Sequence, residues 1–201
     1  MGSLWCRWLS YHLIIYCRAT GEAHGRFGLG GNIVNTMVDV ANGMDETAIE
    51  FFFDNYFASN ELMTHLAAQN ILATGTVKAN RTGGADLILL DKKVMKDNER
   101  GCHDFACTKN VYIASWNDNS IVNVISTGHQ SQPLHTVQRR VKGKGQIPVS
   151  QPRLIQKYNE GMSGVDLLDR LLQSYRPAIQ MKKWWWAFFT NLLNVSVVAA
   201  W

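Results

Sequence analysis

Ala48–Ser59, AIEFFFDNYFAS, is the stretch on which the reading of this chain turns. A continuous run of large apolar residues of this length is typical of a central strand covered on both faces. The run stops at Asp54-Asn55, a pair suited to a turn. Ser59 then stands where a helix N-cap belongs, and Leu62, Leu66 and Met63 follow at inward helical positions as far as about Gln69. Asp54 therefore has two readings. It is either the polar cap of a turn or a carboxylate presented at the end of a strand.

The surroundings extend the pattern. ILATGTVKANR returns as a strand, so strands and helices alternate as in an α/β sheet. Upstream, Ile33, Val34, Met37, Val38 and Val40 recur at helical spacing until Asn42-Gly43. The cluster Gly28-Leu29-Gly30-Gly31 before them lacks the spacing and lysine of a phosphate-binding loop and reads as a flexible turn. LWCRWLSYHLIIY, near the start, is interrupted by Arg7 and His12 and lacks the features of a signal peptide. It reads as two short strands bent near Ser10-Tyr11.

From about residue 81 to 150 the character is β-rich. VYIASW and IVNVIST are joined by NDNS, a strong hairpin signal. No helical period shows between Thr82 and Ser150, and RRVKGKGQIPVSQP reads as a closing linker. Helical spacing resumes in NEGMSGVDLLDRLLQSYRP, where Val165, Leu168, Leu172 and Tyr175 form one stripe that Pro177 ends. WWWAFFTNLLNVSVVAAW, Trp184–Trp201, approaches the length of a membrane span, but Thr190, Asn191, Asn194 and Ser196 interrupt it. A helix buried in a protein core is expected there, not a membrane helix.

With 201 residues, 46% hydrophobic and 18% charged, the chain is globular and long enough for one domain or one with an insertion. The formal charge of +4 permits nucleic-acid contact, and its distribution says more than the total. Arg139, Arg140, Lys142, Lys144, Arg153 and Lys157 follow one another with no acid until Glu160. Cys6, Cys17, Cys102 and Cys107 lack zinc-ribbon spacing. Cys102, His103 and Cys107 fall short of a four-ligand site, so free thiols of a reducing compartment are expected.

In order, FFFDNYFAS, TGTVKANR, SWNDNSIVNVIST, YNEGMSGVDLLDR and KKWW resemble the transposase domain of piggyBac elements and the host proteins derived from them. The likeness runs from LWC and YCRATGE near the start to the tryptophan-rich helix. It implies an α/β, RNase H-like (DDE transposase) core interrupted by a β-rich insertion. Residues 1–80 would form the first part of the core, 81–150 the insertion with its basic linker, and 151–201 the C-terminal helices. It also implies further segments in the family on both sides of this domain, so the chain is expected to be a truncated form.

The site that the resemblance implies holds Mg²⁺ on carboxylates, with Asp54 and Asp166 as catalytic metal ligands and Asp169 as an auxiliary metal ligand. A pair of such ions about 4 Å apart activates the attacking oxygen and stabilises the leaving one. Ser163 to Asp166 also fits a capping box, and Asp166 also reaches Arg170 at i+4. The family's first catalytic Asp is absent. LWCRWLSYHLIIY contains no acid, and Arg7, Trp8 and Leu9 stand where the carboxylate is expected.

An inactive or severely impaired nuclease is therefore expected, located in the nucleus, with sequence-independent contact to the DNA backbone. The candidate DNA-binding residues are Arg139, Arg140, Lys142, Lys144, Arg153, Arg176, Lys182 and Lys183. A homodimer is allowed for, and neither a small-molecule cofactor nor a membrane is expected. A non-enzymatic interaction module or inert fragment of a transposable element is the alternative.

Overall fold

Leu62, Met63 and Leu66, whose spacing marks one face of a helix, are fully buried in a computed structural model of the chain. The structure describes residues 26–43, 49–108, 110–141, 143, 145–176 and 182–200, with the side chains of 163–166 excepted. Two compact units are distinguished, one over Arg18–Asn159 and one holding Glu160–Trp201.

In the first unit a helix, α1 (Gly28–Asn42), precedes strand β1 (Glu50–Phe53), helix α2 (Asn60–Ala68) and strand β2 (Leu72–Thr76). Then come a short helix α3 (Lys92–Asp97) and strands β3 (His103–Cys107), β4 (Tyr112–Asn117), β5 (Ile121–Ser126), β6 (Leu134–Val141) and β7 (Gly145–Pro152). Five strands make one sheet in the order β1-β2-β5-β4-β3. β1 and β2 run parallel, pairing Phe53 with Gly75, and the remaining neighbours are antiparallel. The β-rich segment thus continues the sheet through β5, which pairs with β2.

Alternation along the strands builds two cores. Ile113 and Ile125 join Val34, Val38, Phe53, Leu62, Met63 and Leu66 on one face. Ala114, Trp116 and Val124 join Val149, Leu154 and Ile155 on the other. Ser59 caps α2 as expected, its Oγ accepting from the Leu62 N–H at 3.2 Å.

Three expectations are corrected in this unit. The glycine cluster is the first turn of α1 and not a loop. A Cβ on Gly30 would lie 2.6 Å from the Tyr56 carbonyl oxygen, so glycine there lets the helix approach the turn after β1. The segment expected to lack helix contains α3, whose Met95 is fully buried. The supposed linker is a paired ribbon, β6–β7, in register from Leu134↔Pro152 to Val141↔Gly145. Positive φ at Gly143 and Gly145 makes its turn. Its prolines sit on a two-stranded ladder, where strand prolines are tolerated at the edge.

The helix α4 (Arg153–Ser174) starts in the first unit, where Leu154 and Ile155 are buried, and runs into the second. The helix α5 (Trp186–Ala200) lies in the second unit. It is not the buried helix expected from its composition. Trp184 just before it is 82% exposed, and Phe188, Leu192, Leu193 and Val197 are all exposed. Asn194 is buried, its Nδ2 donating to the Leu172 carbonyl of α4 at 2.8 Å. The Thr190 and Ser196 hydroxyls donate to helix carbonyls of Trp186 and Leu192, whereas the buried Trp186 Nε1 meets no hydrogen-bond partner among the described residues. No helix among the described residues is long and apolar enough to cross a membrane.

Candidate functional site

Parallel pairing of β1 and β2 brings the C-terminal ends of both strands to one end of the sheet. Asp54 follows β1 and Thr76 closes β2, and there the two side chains meet. The Thr76 hydroxyl donates to Asp54 Oδ1 at 3.0 Å, and the Asn55 N–H donates to the same oxygen at 2.6 Å. The Tyr158 hydroxyl, on the first turns of α4, lies 3.5 Å from the Thr76 oxygen. The chain then turns tightly, with the Phe57 and Ala58 N–H groups donating to the Asp54 carbonyl.

The turn reading of Asp54 is observed directly. Oδ1 organises the turn, whereas Oδ2 accepts no hydrogen bond among the described residues, and the side chain is exposed. A hard oxygen held at a strand end with its second lone-pair set turned to solvent is suited to a divalent cation. Hydrogen bonds to the other oxygen fix the orientation of such a ligand. This donor set fits one ligand of a metal site. Among the described residues no group of three or more His, Cys, Asp or Glu side chains is gathered to hold an ion.

The other candidates fall as follows. Asp166 lies on α4, and its side chain is outside the described residues. Asp169 lies on the same helix and is exposed. The acid-free stretch Leu4–Tyr16 and Pro177 are also outside the described residues. Arg153, Arg176, Lys182 and Lys183 are exposed; Lys142 and Lys144 are outside the described residues. Cys102 and Cys107 are free thiols, and the His103 ring lies against the Gly101 carbonyl.

Arg139 and Arg140, adjacent in sequence, have opposite surroundings. Arg139 Nε lies 3.3 Å from Asp118 Oδ2, and its guanidinium sits 5.6 Å from the centre of the Trp116 ring. Asp118 is also paired with Arg100, whose Nε donates at 2.6 Å. Arg140 points away, exposed on the outer face of the ribbon.

Sequence reasoning missed Thr76, Tyr158 and Arg81 as neighbours of the Asp54 turn. Arg81 lies in a 3-10 turn, Ala79–Arg81, and its Nη1 donates to the Tyr56 carbonyl at 2.9 Å. The signal was present in TGTVKANR, which carries a hydroxyl and a cation just after the strand parallel to β1.

Comparison with known proteins agrees with this architecture. The profile of the family described as Transposase IS4 matches residues 8–201. The chain is similar to PiggyBac transposable element-derived protein 3 of Homo sapiens, 35% identical over 165 residues, which cover 81% of this chain and 27% of that protein. It is also similar to PiggyBac transposable element-derived protein 2 of Homo sapiens, 30% identical over 176 residues, covering 86% and 29%. The chain thus spans less than a third of either relative. Among solved structures, a piggyBac transposase in a synaptic complex with hairpin DNA shares the fold. Its TM-score is 0.66 at 18% identity, over 92% of this chain and 36% of that one.

Proposed function

Since the chain belongs to the Transposase IS4 family, on its piggyBac-type branch, we propose that it is a transposase-derived, DNA-contacting domain whose strand-cutting chemistry is impaired. One observation carries the reading. Asp54 stands ready at the strand end with Oδ2 free, whereas Leu4–Tyr16, where the resemblance places its first partner, holds no carboxylate.

In this reading Asp54, Asp166 and Asp169 are the ligands that remain for Mg²⁺. When bound, such ions supply Lewis-acid activation of the attacking oxygen and charge stabilisation of the leaving one. Asp54 contributes one oriented oxygen, and Thr76 and the Asn55 N–H hold its carboxylate in that orientation. With one acid missing, the positive charge of two cations is under-compensated, and both affinity and cutting fall. Contact with DNA through Arg140, Arg153, Arg176, Lys182 and Lys183 is supported by their exposure and by the DNA in the solved relative. Nuclear location and a homodimer belong to the same proposal.

The test pairs a nicking assay on supercoiled DNA with duplex binding at several salt concentrations. Nicking in Mn²⁺ no greater than that of Asp54→Ala, together with affinity that falls as salt rises, is the expected result. Nicking that Asp54→Ala abolishes would overturn the impairment. Duplex affinity that is absent or indifferent to salt would overturn the DNA contact.

The exposed face of α5 favours a second reading, a non-enzymatic interaction module, because Trp184, Phe188, Leu192 and Val197 are all exposed. Loss of solution self-association or partner capture on Leu192→Glu, with DNA affinity unchanged, distinguishes it.

A further inference from the structure

The ribbon β6–β7 has two unlike faces. Inward, Val149 is buried and Val137 and Ile147 pack against the core that holds Trp116 and Leu154. Trp116 Nε1 donates to the Ser150 carbonyl at 2.8 Å, and Arg139 is held by Asp118 over the Trp116 ring. Outward, Thr136, Gln138 and Arg140 alternate with these and are exposed, and across the ladder Gln146 faces Arg140 and Pro148 faces Gln138. No Asp or Glu occurs between Asp118 and Glu160, and Asp118 is itself taken by Arg100 and Arg139. Among the described residues the outer face thus carries Arg140 as its one charge beside Thr136, Gln138 and Gln146, with Leu134 exposed at its far end and no acid of its own. Eight residues per strand make an arm roughly 25 Å long.

We infer that this outer face is a duplex-DNA contact that seats in the major groove, with Arg140, Gln138 and Gln146 against base edges and Arg139 as the anchor that holds the ribbon in place. A two-stranded ribbon fits a major groove about 12 Å wide, where guanidinium and amide side chains match the acceptor and donor pattern of purine edges. The ladder brings the three side chains side by side on one face: Gln138 and Arg140 are two apart on β6, and Gln146 is directly opposite Arg140. The anchor explains why two neighbouring arginines have separate duties. Arg139 spends its charge on Asp118 and Trp116, whereas Arg140 keeps its charge for a polyanion. The inference rests on the proposed DNA contact and deepens it by naming the element and the groove.

The test is fluorescence anisotropy with a labelled duplex, a matched single strand, and the same duplex made with 7-deazapurines, which lack the major-groove N7 acceptor. Arg140→Ala is expected to bind the natural duplex about tenfold more weakly and to keep its melting temperature. Gln138→Ala with Gln146→Ala should weaken binding in the same direction. The deazapurine duplex should weaken the parent chain, and weaken Arg140→Ala less, since only the glutamines then remain to read N7. Arg139→Ala should lower the melting temperature. If the parent binds duplex but Arg140→Ala binds equally well, the ribbon contact is overturned and the broader DNA reading stands. A parent indifferent to deazapurines, or equally tight on single strand, overturns the groove. A parent that binds no duplex overturns both.

Discussion

Two helices of this chain, α2 and α5, are apolar in composition and differ completely in what covers them. Leu62, Met63 and Leu66 of α2 are fully buried against the sheet. Leu192, Leu193 and Val197 of α5 are 46%, 49% and 64% exposed. The cause lies outside either helix. α2 follows β1 through a tight, capped turn and rests on the strands it connects, whereas α5 is tied to α4 through the buried Asn194. Apolar spacing marks a face that needs cover. What supplies the cover is a tertiary fact.

Substitutions in the two helices break or sharpen this contrast. Leu62→Ala is expected to destabilise the fold most, by about 2–5 kcal/mol, because it opens a cavity in a fully buried position. Denaturant unfolding measures it. Gly30→Ala comes next, at about 1–3 kcal/mol, since its methyl group meets the Tyr56 carbonyl and pushes α1 off the turn that α2 grows from. It should also perturb the Asn55 amide signal in a proton–nitrogen spectrum. Ser59→Ala removes the cap of α2 and should lower stability by about 1 kcal/mol, with Ser59→Asp restoring it. Leu192→Ala on α5 should shift stability by less than about 0.5 kcal/mol. An α5 substitution that matched the effect of Leu62→Ala would erase the contrast.

The sequence is legible where local chemistry and period coincide. The strand ending at Asp54, the Ser59 cap, the α2 face and the hairpin around Asn117–Ser120 all follow from adjacent residues, and all are observed. It misleads where composition stands in for geometry. Gly143, Gly145, Pro148 and Pro152 make a stretch that looks like a linker, yet two glycines at positive φ and two edge prolines are what a short ribbon tolerates. Gly30 looks like flexibility and is instead a close approach of helix to backbone. α3, six residues long, is too short for a helical period to show. Of the candidate site, Asp54 is readable because it ends a strand. Its partner Thr76 is not, since only the parallel pairing of β1 with β2 brings the two strand ends together. The split between Arg139 and Arg140 is invisible for the same reason. It depends on Asp118 and Trp116 arriving from β4 and the turn after it.

The carboxylate of Asp54 serves the turn through one oxygen and leaves the other free. Shape and any cation would therefore draw on different atoms of one side chain. An asparagine at this position keeps an oxygen for the Thr76 hydroxyl and the Asn55 N–H and loses the negative charge, so the two duties can be separated by a single atom.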